Sequence, residues 1–120
     1  KIKKKKSIKL WGNGKAKREL MYVDDLASAC EFFLKKKVKN TLINIGSGHE
    51  DTIKNYAKFI MKKMEVNLKI EFEQEKPNGT PRKILNSGIA KNYGWNANIG
   101  LSEGFDLTFQ DYLKKLKYQK

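Results

Sequence analysis

The sequence predicts an α/β fold in which short strands alternate with amphipathic helices. The chain has 120 residues, which suffices for about one domain with a buried core. Its composition of 39% hydrophobic and 32% charged residues is typical of a globular protein. Short β-branched or alternating stretches are followed by segments whose apolar residues recur at helical spacing. This alternation favours parallel pairing of the strands.

Four short segments carry the strand signals. The predicted strands are residues 8–11, 20–23, 41–45 and 68–72. The first of these segments could also be the end of a loop. The last segment alternates apolar and polar residues with a period of two, which is typical of a half-exposed strand. Gly46 and Gly48 end the third one in a turn that we interpret as structural, because it lacks the Gly-Lys-Ser/Thr tail of a P-loop.

Four helices are predicted between or after these strands. The first helix is capped by Asp24 or Asp25 and has apolar positions up to Leu34, and the second runs from a Thr52 cap to Met64. A short third helix lies within residues 84–93, before Gly94, and the fourth starts at a Ser102 cap. We interpret the paired acids at 24 and 25 as helix caps rather than as an acid/base site. We also interpret His49 as a solvated loop residue, so that no metal site and no catalytic residue is predicted.

The charge of the chain invites a nucleic-acid hypothesis that its residue types discourage. The net charge is +13, but the excess is lysine spread along the whole chain. Arginine, which binds phosphate and guanine through a planar fork, occurs only as Arg18 and Arg82. Cys30 is the one cysteine, which we expect to pack as a small hydrophobe. Without a long apolar run or a signal peptide, the sequence favours a cytoplasmic setting with no membrane partner.

Two constellations could hold a ligand. The first is Trp11, whose indole offers a flat face for a sugar or a base, with Arg18 as a donor fork for a diphosphate beyond the Gly12–Gly14 turn. This turn lacks the third glycine and the following helix of a dinucleotide-binding fingerprint. The second is the octapeptide Lys76-Pro-Asn-Gly-Thr-Pro-Arg-Lys83, which contains both prolines and ends in two cations. A packed turn and a solvated connector are the structural alternatives.

Taken together, these motifs are similar to those of an enzyme family. In chain order they are Trp11-Gly-x-Gly-x-x-x-Arg18-Glu19, Tyr22-Val23-Asp24-Asp25-Leu26-Ala27, Asn44-Ile45-Gly46-x-Gly48, Lys76-Pro-x-Gly-Thr-Pro-Arg-Lys83 and Gly94-Trp95. The series resembles the GDP-L-fucose synthases, a branch of the extended short-chain dehydrogenase/reductase family of nucleotide-sugar epimerases. The octapeptide string is the motif most specific to that branch. Asn78 and Asn86 stand where the family usually has Asp.

The resemblance implies a function and a set of site residues. It implies an NADPH-dependent 3,5-epimerase and 4-reductase acting on GDP-4-keto-6-deoxy-mannose. The whole enzyme would be a homodimer. By the same resemblance Trp11, Arg18, Asn78 and Lys83 would line the nucleotide-sugar site, with Arg18 and Lys83 near the pyrophosphate. Arg82 would then be structural.

Two of the family's motifs are absent from the chain. There is no Gly-x-x-Gly-x-x-Gly loop for NADPH and no Tyr-x-x-x-Lys pair for proton transfer. We therefore expect residues 1–120 to be the carboxy-terminal, nucleotide-sugar-binding part of such an enzyme. The missing partner would be its amino-terminal Rossmann part, which would bind NADP. This chain alone would bind no cofactor, would be inactive, and would expose apolar surface that promotes self-association.

Two hypotheses of other classes stay open at this point. A small basic domain would bind nucleic acids or other polyanions with a steep salt dependence. A non-catalytic partner subunit would complete the active site of another chain.

Overall fold

The computed structural model of the chain describes residues 6–40 and 42–118. Its elements, in order, are β1 (Ser7–Trp11), β2 (Lys17–Glu19), α1 (Val23–Leu34), β3 (Glu50–Thr52), α2 (Ile53–Lys63), β4 (Lys69–Glu73), β5 (Arg82–Lys83), α3 (Gly88–Asn92) and α4 (Leu101–Tyr118). The chain forms two compact units, one of Lys1–Glu19 with Glu50–Ile84 and one of Leu20–His49 with Leu85–Lys120. All the strands of the described residues lie in the first unit, together with α2.

The first unit contains two small sheets. Strands β1 and β4 pair in parallel, and their register places Ile8 beside Ile70 and Leu10 beside Phe72. The second sheet has three strands in the order β3-β2-β5, with β2 antiparallel to β3 and parallel to β5. The strand β2 is therefore bonded on both sides.

The second unit is built around a small helical core. Ala29 of α1, Ala90 of α3 and Trp95 are its buried apolar residues. Partly buried hydrophobic side chains surround them, namely Met21, Phe32, Phe33, Ile43, Ile45 and Ala97. The indole nitrogen of Trp95 donates to the hydroxyl of Ser28 at 3.2 Å, so the one polar atom of that ring is satisfied inside the core.

Asp25 joins α1 to the segment that precedes α4. Its side chain is only 3% exposed. One carboxylate oxygen accepts the backbone N–H of Asn98 and the other that of Ile99, each at 3.0 Å. The prediction that Asp24 or Asp25 caps α1 is wrong, because Tyr22 is the N-cap and both acids lie in the first turn. There they still favour the positive end of the helix dipole.

The structure corrects two predicted strands. Residues 20–22 are not in a strand and Val23 begins α1, whereas the neighbouring Lys17–Glu19 segment is the strand because it has a partner on each side. Thr41 lies outside the described residues, and residues 42–45 form no ladder with any described strand. Strand propensity yields a strand only where a second backbone is available for pairing.

Several other boundaries are confirmed. Strands β1 and β4 lie within one residue of their predicted positions. The hydroxyl of Thr52 caps α2 by accepting the N–H of Asn55 at 3.1 Å. The short helix α3 ends before Gly94, whose φ is +97°. The prediction that Ser102 caps the last helix is wrong, because that helix begins at Leu101 and Ser102 is its second residue.

Two further observations concern the surface. Cys30 is exposed, so the prediction that it packs as a small hydrophobe is wrong. It lies on α1 away from the side on which Asp25 and Ala29 are buried.

Among the helices of the described residues, none combines the length and the apolar character required to cross a lipid bilayer.

Replacing Gly12 with Ala should destabilise the chain by at least about 1–2 kcal/mol, because its φ of +67° is unfavourable for residues with a Cβ. An added Cβ would also lie 2.9 Å from the Cα of Asn78. Thermal or denaturant unfolding measures the effect. Gly100→Ala is the matched control, because nothing lies within 4 Å of its added Cβ. Equal stability of the two variants would contradict the strain argument.

Replacing Asp25 with Ala should lower the free energy of unfolding by about 1–3 kcal/mol, since two partly buried N–H groups lose their acceptor. Asp24→Ala serves as the control, because Asp24 lies in the same helical turn but is exposed. A loss of the same size in both variants would assign the effect to the helix dipole instead.

Candidate functional site

The three-stranded sheet brings the predicted cations together on adjacent strands. Arg18 in the middle strand β2 is the register partner of Lys83 in β5 and of Asp51 in β3. Its neighbour Lys17 is the register partner of Arg82. Because side chains alternate along a strand and register partners share a face, Arg18 and Lys83 belong to one face of the sheet. Lys17 and Arg82 belong to the opposite face.

On the face that carries Lys17 and Arg82, Glu50 forms an ion pair with both cations. The Nε of Arg82 donates to both carboxylate oxygens of Glu50, at 3.0 and 2.8 Å. The ammonium of Lys17 is 3.5 Å from one of these oxygens. The hydrogen bond from Arg82 holds the pKa of Glu50 below its usual value and raises the pKa of the guanidinium. Arg82 thus has a structural ion-pair role, as the resemblance implied, and the ligand contact of Lys83 stays a prediction.

The opposite face carries two cations, Arg18 and Lys83, that form no ion pair with any of the described residues. Asp51, the one acid in register with Arg18, points its Oδ1 at the backbone N–H of Thr52 and the side-chain amide of Asn55, each at 2.7 Å. It is therefore engaged at the start of α2. Lys83 is exposed and forms no ion pair with any of the described residues. Arg18 and Lys83 stand next to each other as like charges, an arrangement that costs free energy in a bare sheet.

The octapeptide lies against the segment that contains Arg18. The side-chain oxygen of Asn78 accepts the N–H of Asn13 at 2.7 Å, and the carbonyl of Pro81 accepts the N–H of Lys17 at 2.8 Å. Between these two bonds, the carbonyl of Thr80 accepts from the Nη1 of Arg18 at 2.7 Å. The loop is therefore fixed at three points, although its residues are exposed.

Trp11 presents its ring beside the beginning of the loop. The ring is 65% exposed, and the ammonium of Lys76 lies 5.8 Å from its centroid. Backbone bonding fixes this pair, because the carbonyl of Glu73 accepts both the N–H of Gly12 at 2.9 Å and that of Lys76 at 3.0 Å. An exposed indole beside an ammonium is a suitable surface for a flat group that carries negative charge nearby.

All four residues predicted to bind the nucleotide sugar lie in the first unit. Arg18 and Lys83 are adjacent, whereas Trp11 and Asn78 are placed by the Gly12–Gly14 turn and the loop anchored to it. The oxygen of Asn78 faces this turn, so its side-chain amide is the group left for a ligand. A carboxylate oxygen at this position could accept the same N–H.

Sequence reasoning missed Tyr56. It is not among the predicted site residues, yet its hydroxyl donates to the carbonyl of Arg18 at 2.9 Å. The side chain is 5% exposed, and burial raises the pKa of the phenol above its usual value. Helical spacing alone cannot identify this role, although a buried tyrosine is a signal that some polar partner lies nearby.

The remaining candidates form no second site of comparable quality. His49 is exposed, and the described residues contain no group of three or more His, Cys, Asp and Glu side chains that could hold a metal ion. A cavity of about 380 Å³ in the second unit is lined mainly by apolar side chains, including Met21, Ile99 and Phe105. It contains none of the predicted site residues.

Comparisons with known proteins agree with the motifs. The model of the NAD dependent epimerase/dehydratase family matches residues 1–46. GDP-L-fucose synthase 1 of Arabidopsis thaliana is 35% identical over 116 residues, which are 97% of this chain and 36% of that protein. The GDP-L-fucose synthase of Escherichia coli (strain K12) is 34% identical over 116 residues, covering 89% of this chain and 36% of its own length.

A solved structure confirms the fold class. The GDP-mannoheptose C4 reductase MlghC of Campylobacter jejuni, with NADP bound, matches with a TM-score of 0.76 and 27% identity over 89% of this chain and 35% of its own. The predicted α/β architecture of an extended short-chain dehydrogenase/reductase is therefore correct. The chain spans about a third of the length of the curated relatives it matches.

Replacing Glu50 with Gln should lower the melting temperature near neutral pH, and the loss should disappear in acid. Arg82 depresses the pKa of Glu50 below the unfolded value of 4.5. The ion pair therefore stabilises the fold above that pH and is lost as the pH falls through the folded pKa. Melting of both proteins between about pH 7 and 3 measures this window. Glu75→Gln, at an exposed position, is the control, and a pH-independent difference would contradict the assignment.

Proposed function

Because the chain belongs to the family of GDP-L-fucose synthases and related nucleotide-sugar epimerases and reductases, we propose that it is the substrate-binding part of such an enzyme. The substrate would be GDP-4-keto-6-deoxy-mannose, and the reaction an NADPH-dependent 3,5-epimerisation followed by 4-reduction. The proposal combines the relatives' names with the octapeptide and the sheet that holds it. The whole enzyme's reaction is part of the proposal and not of the structure.

The observation that carries the proposal is the adjacency of Arg18 and Lys83 in one register position of the sheet. Two like charges held side by side repel each other, and a bound diphosphate would remove that repulsion while gaining charge-assisted hydrogen bonds. On the opposite face both cations, Arg82 and Lys17, are already ion-paired with Glu50. The two faces of the sheet therefore differ in whether their cations form ion pairs with the protein.

Trp11 would complete the site by stacking on the flat part of the ligand. Its exposed indole provides apolar contact area for a sugar or a base. The guanine preference rests on the relatives, whose names include GDP-linked products, and on no contact described above.

The residues of this chain would bind and orient the substrate, whereas proton transfer would depend on residues outside the sequence. The cofactor does not fit here either. The Gly12–Gly14 turn leads into β2 and not into a helix, so it lacks the helix N-terminus that would receive the cofactor's pyrophosphate. NADP would therefore bind to the remaining part of the enzyme and not to this turn.

Exposed apolar side chains support the need for additional polypeptide. In the second unit the large exposed ones include Leu20, Val23, Leu26, Leu34 and Leu42. Val23 is 65% exposed at the start of α1. Such exposure fits a Rossmann part covering this surface, and a homodimer of the whole enzyme is proposed on the family resemblance alone.

Replacing Lys83 with Ala in an enzyme that contains this sequence should weaken GDP-sugar binding by roughly tenfold or more, because a charge-assisted hydrogen bond is lost. Titration calorimetry with GDP measures the dissociation constant. Lys58→Ala removes the same charge from an exposed position on α2 and should change it little. Equal losses in both variants would favour non-specific attraction, and no loss in either would remove Lys83 from the site.

The same titrations test the polyanion hypothesis. A nucleic-acid-binding domain would bind DNA or RNA with a steep salt dependence and would show no preference for GDP over UDP. The proposed function instead predicts that GDP competes with the substrate and that nucleic acids do not.

A further inference from the structure

Arg18 is fixed at both ends. Its backbone is fixed because β2 is paired on both sides and because the buried hydroxyl of Tyr56 donates to its carbonyl at 2.9 Å. Its guanidinium is fixed because Nη1 donates to the carbonyls of Thr80 and Lys17, each at 2.7 Å. An arginine side chain normally has several rotatable bonds to immobilise when it binds, so this anchoring lowers the entropy cost of binding.

The anchors use one side of the planar guanidinium and leave the other side available. Both described hydrogen bonds of Arg18 engage Nη1. The opposite edge, formed by Nε and Nη2, is the edge that binds two oxygens of one anion side by side. No partner for this edge is found among residues 6–40 and 42–118.

Gly79 lies directly beside this edge. A Cβ added at Gly79 would be 3.3 Å from Nη2 of Arg18, closer than ordinary van der Waals contact. The absence of a side chain at this position, where φ is +69°, leaves space next to Nη2. The loop therefore orients the guanidinium through the carbonyl of Thr80 and places no side chain at position 79 against Nη2.

We propose that Arg18 is preset to bind a diphosphate through its Nε–Nη2 edge, and that Tyr56 is the positioning residue that fixes the strand from which Arg18 projects. This inference rests on the proposed function, because it takes the diphosphate of a nucleotide sugar as the ligand. It adds the binding geometry and a residue that touches no ligand.

The test is a double-mutant cycle in the enzyme that contains this sequence. Tyr56→Phe removes only the hydroxyl and should raise the dissociation constant of GDP by roughly two- to tenfold. In an Arg18→Ala background the same change should have no further effect, because the side chain that it positions is absent. Binding of guanosine, which lacks phosphate, should be unchanged by Tyr56→Phe. Tyr112→Phe at an exposed position is the matched control.

Arg18→Lys gives a second measurement that does not depend on the buried tyrosine. Lysine keeps the charge but presents no planar fork. The proposal predicts that Arg18→Lys loses nearly as much GDP affinity as Arg18→Ala. Affinity close to that of the wild type would show that only a point charge is needed and would overturn the side-on geometry.

The outcomes separate this inference from the proposed function. If Arg18→Ala and Lys83→Ala both leave GDP binding unchanged, the proposed site itself is wrong. If both weaken binding but Tyr56→Phe acts equally in the presence and absence of Arg18, only the positioning role of Tyr56 is overturned.

Discussion

The pairing of β2 on both sides is the constraint on which the candidate site depends. This strand has only three residues, yet β3 binds it on one side and β5 on the other. The first pairing brings Glu50 and the start of α2, and the second brings the end of the octapeptide. A strand this short and this charged would not persist alone. Its ladders, with the hydroxyl of Tyr56 on the carbonyl of Arg18, supply the stability that its side chains do not.

The sheet also separates the charges by function. Lys17 and Arg82 share Glu50 on one face, where the two ion pairs link all three strands. Arg18 and Lys83 share the other face, where the nearby Asp51 is engaged by Thr52 and Asn55. The net charge of the chain gives no hint of this division, since it is spread over many solvated lysines. What matters for a ligand is which cations lack a protein counter-ion, and alternation along the strand decides that.

The sequence allowed the fold class to be predicted, and the errors in the predicted strands and helix caps share a cause. The family resemblance assigned Arg18 and Lys83 to one ligand site, which stays a prediction, and Thr52 was correctly predicted as a helix cap. Residues 42–45 have strand propensity but no described partner, whereas Lys17–Glu19 has poor propensity and two partners. Asp25 was expected to cap α1 and instead bonds residues more than seventy positions away. Pairing and long-range hydrogen bonds are properties of the folded chain, so local patterns could not reveal them.

The distribution of arginine has one more consequence. The chain uses lysine at every other cationic position, and both of its arginines stand on neighbouring strands of one three-stranded sheet. Each guanidinium is oriented by protein acceptors, Arg18 by two carbonyls and Arg82 by a carboxylate. Arg18 uses Nη1 for these contacts and Arg82 uses Nε. Guanidinium chemistry in this sequence is therefore confined to a single small sheet, so a reagent selective for arginine would label that sheet and no other part of residues 1–120.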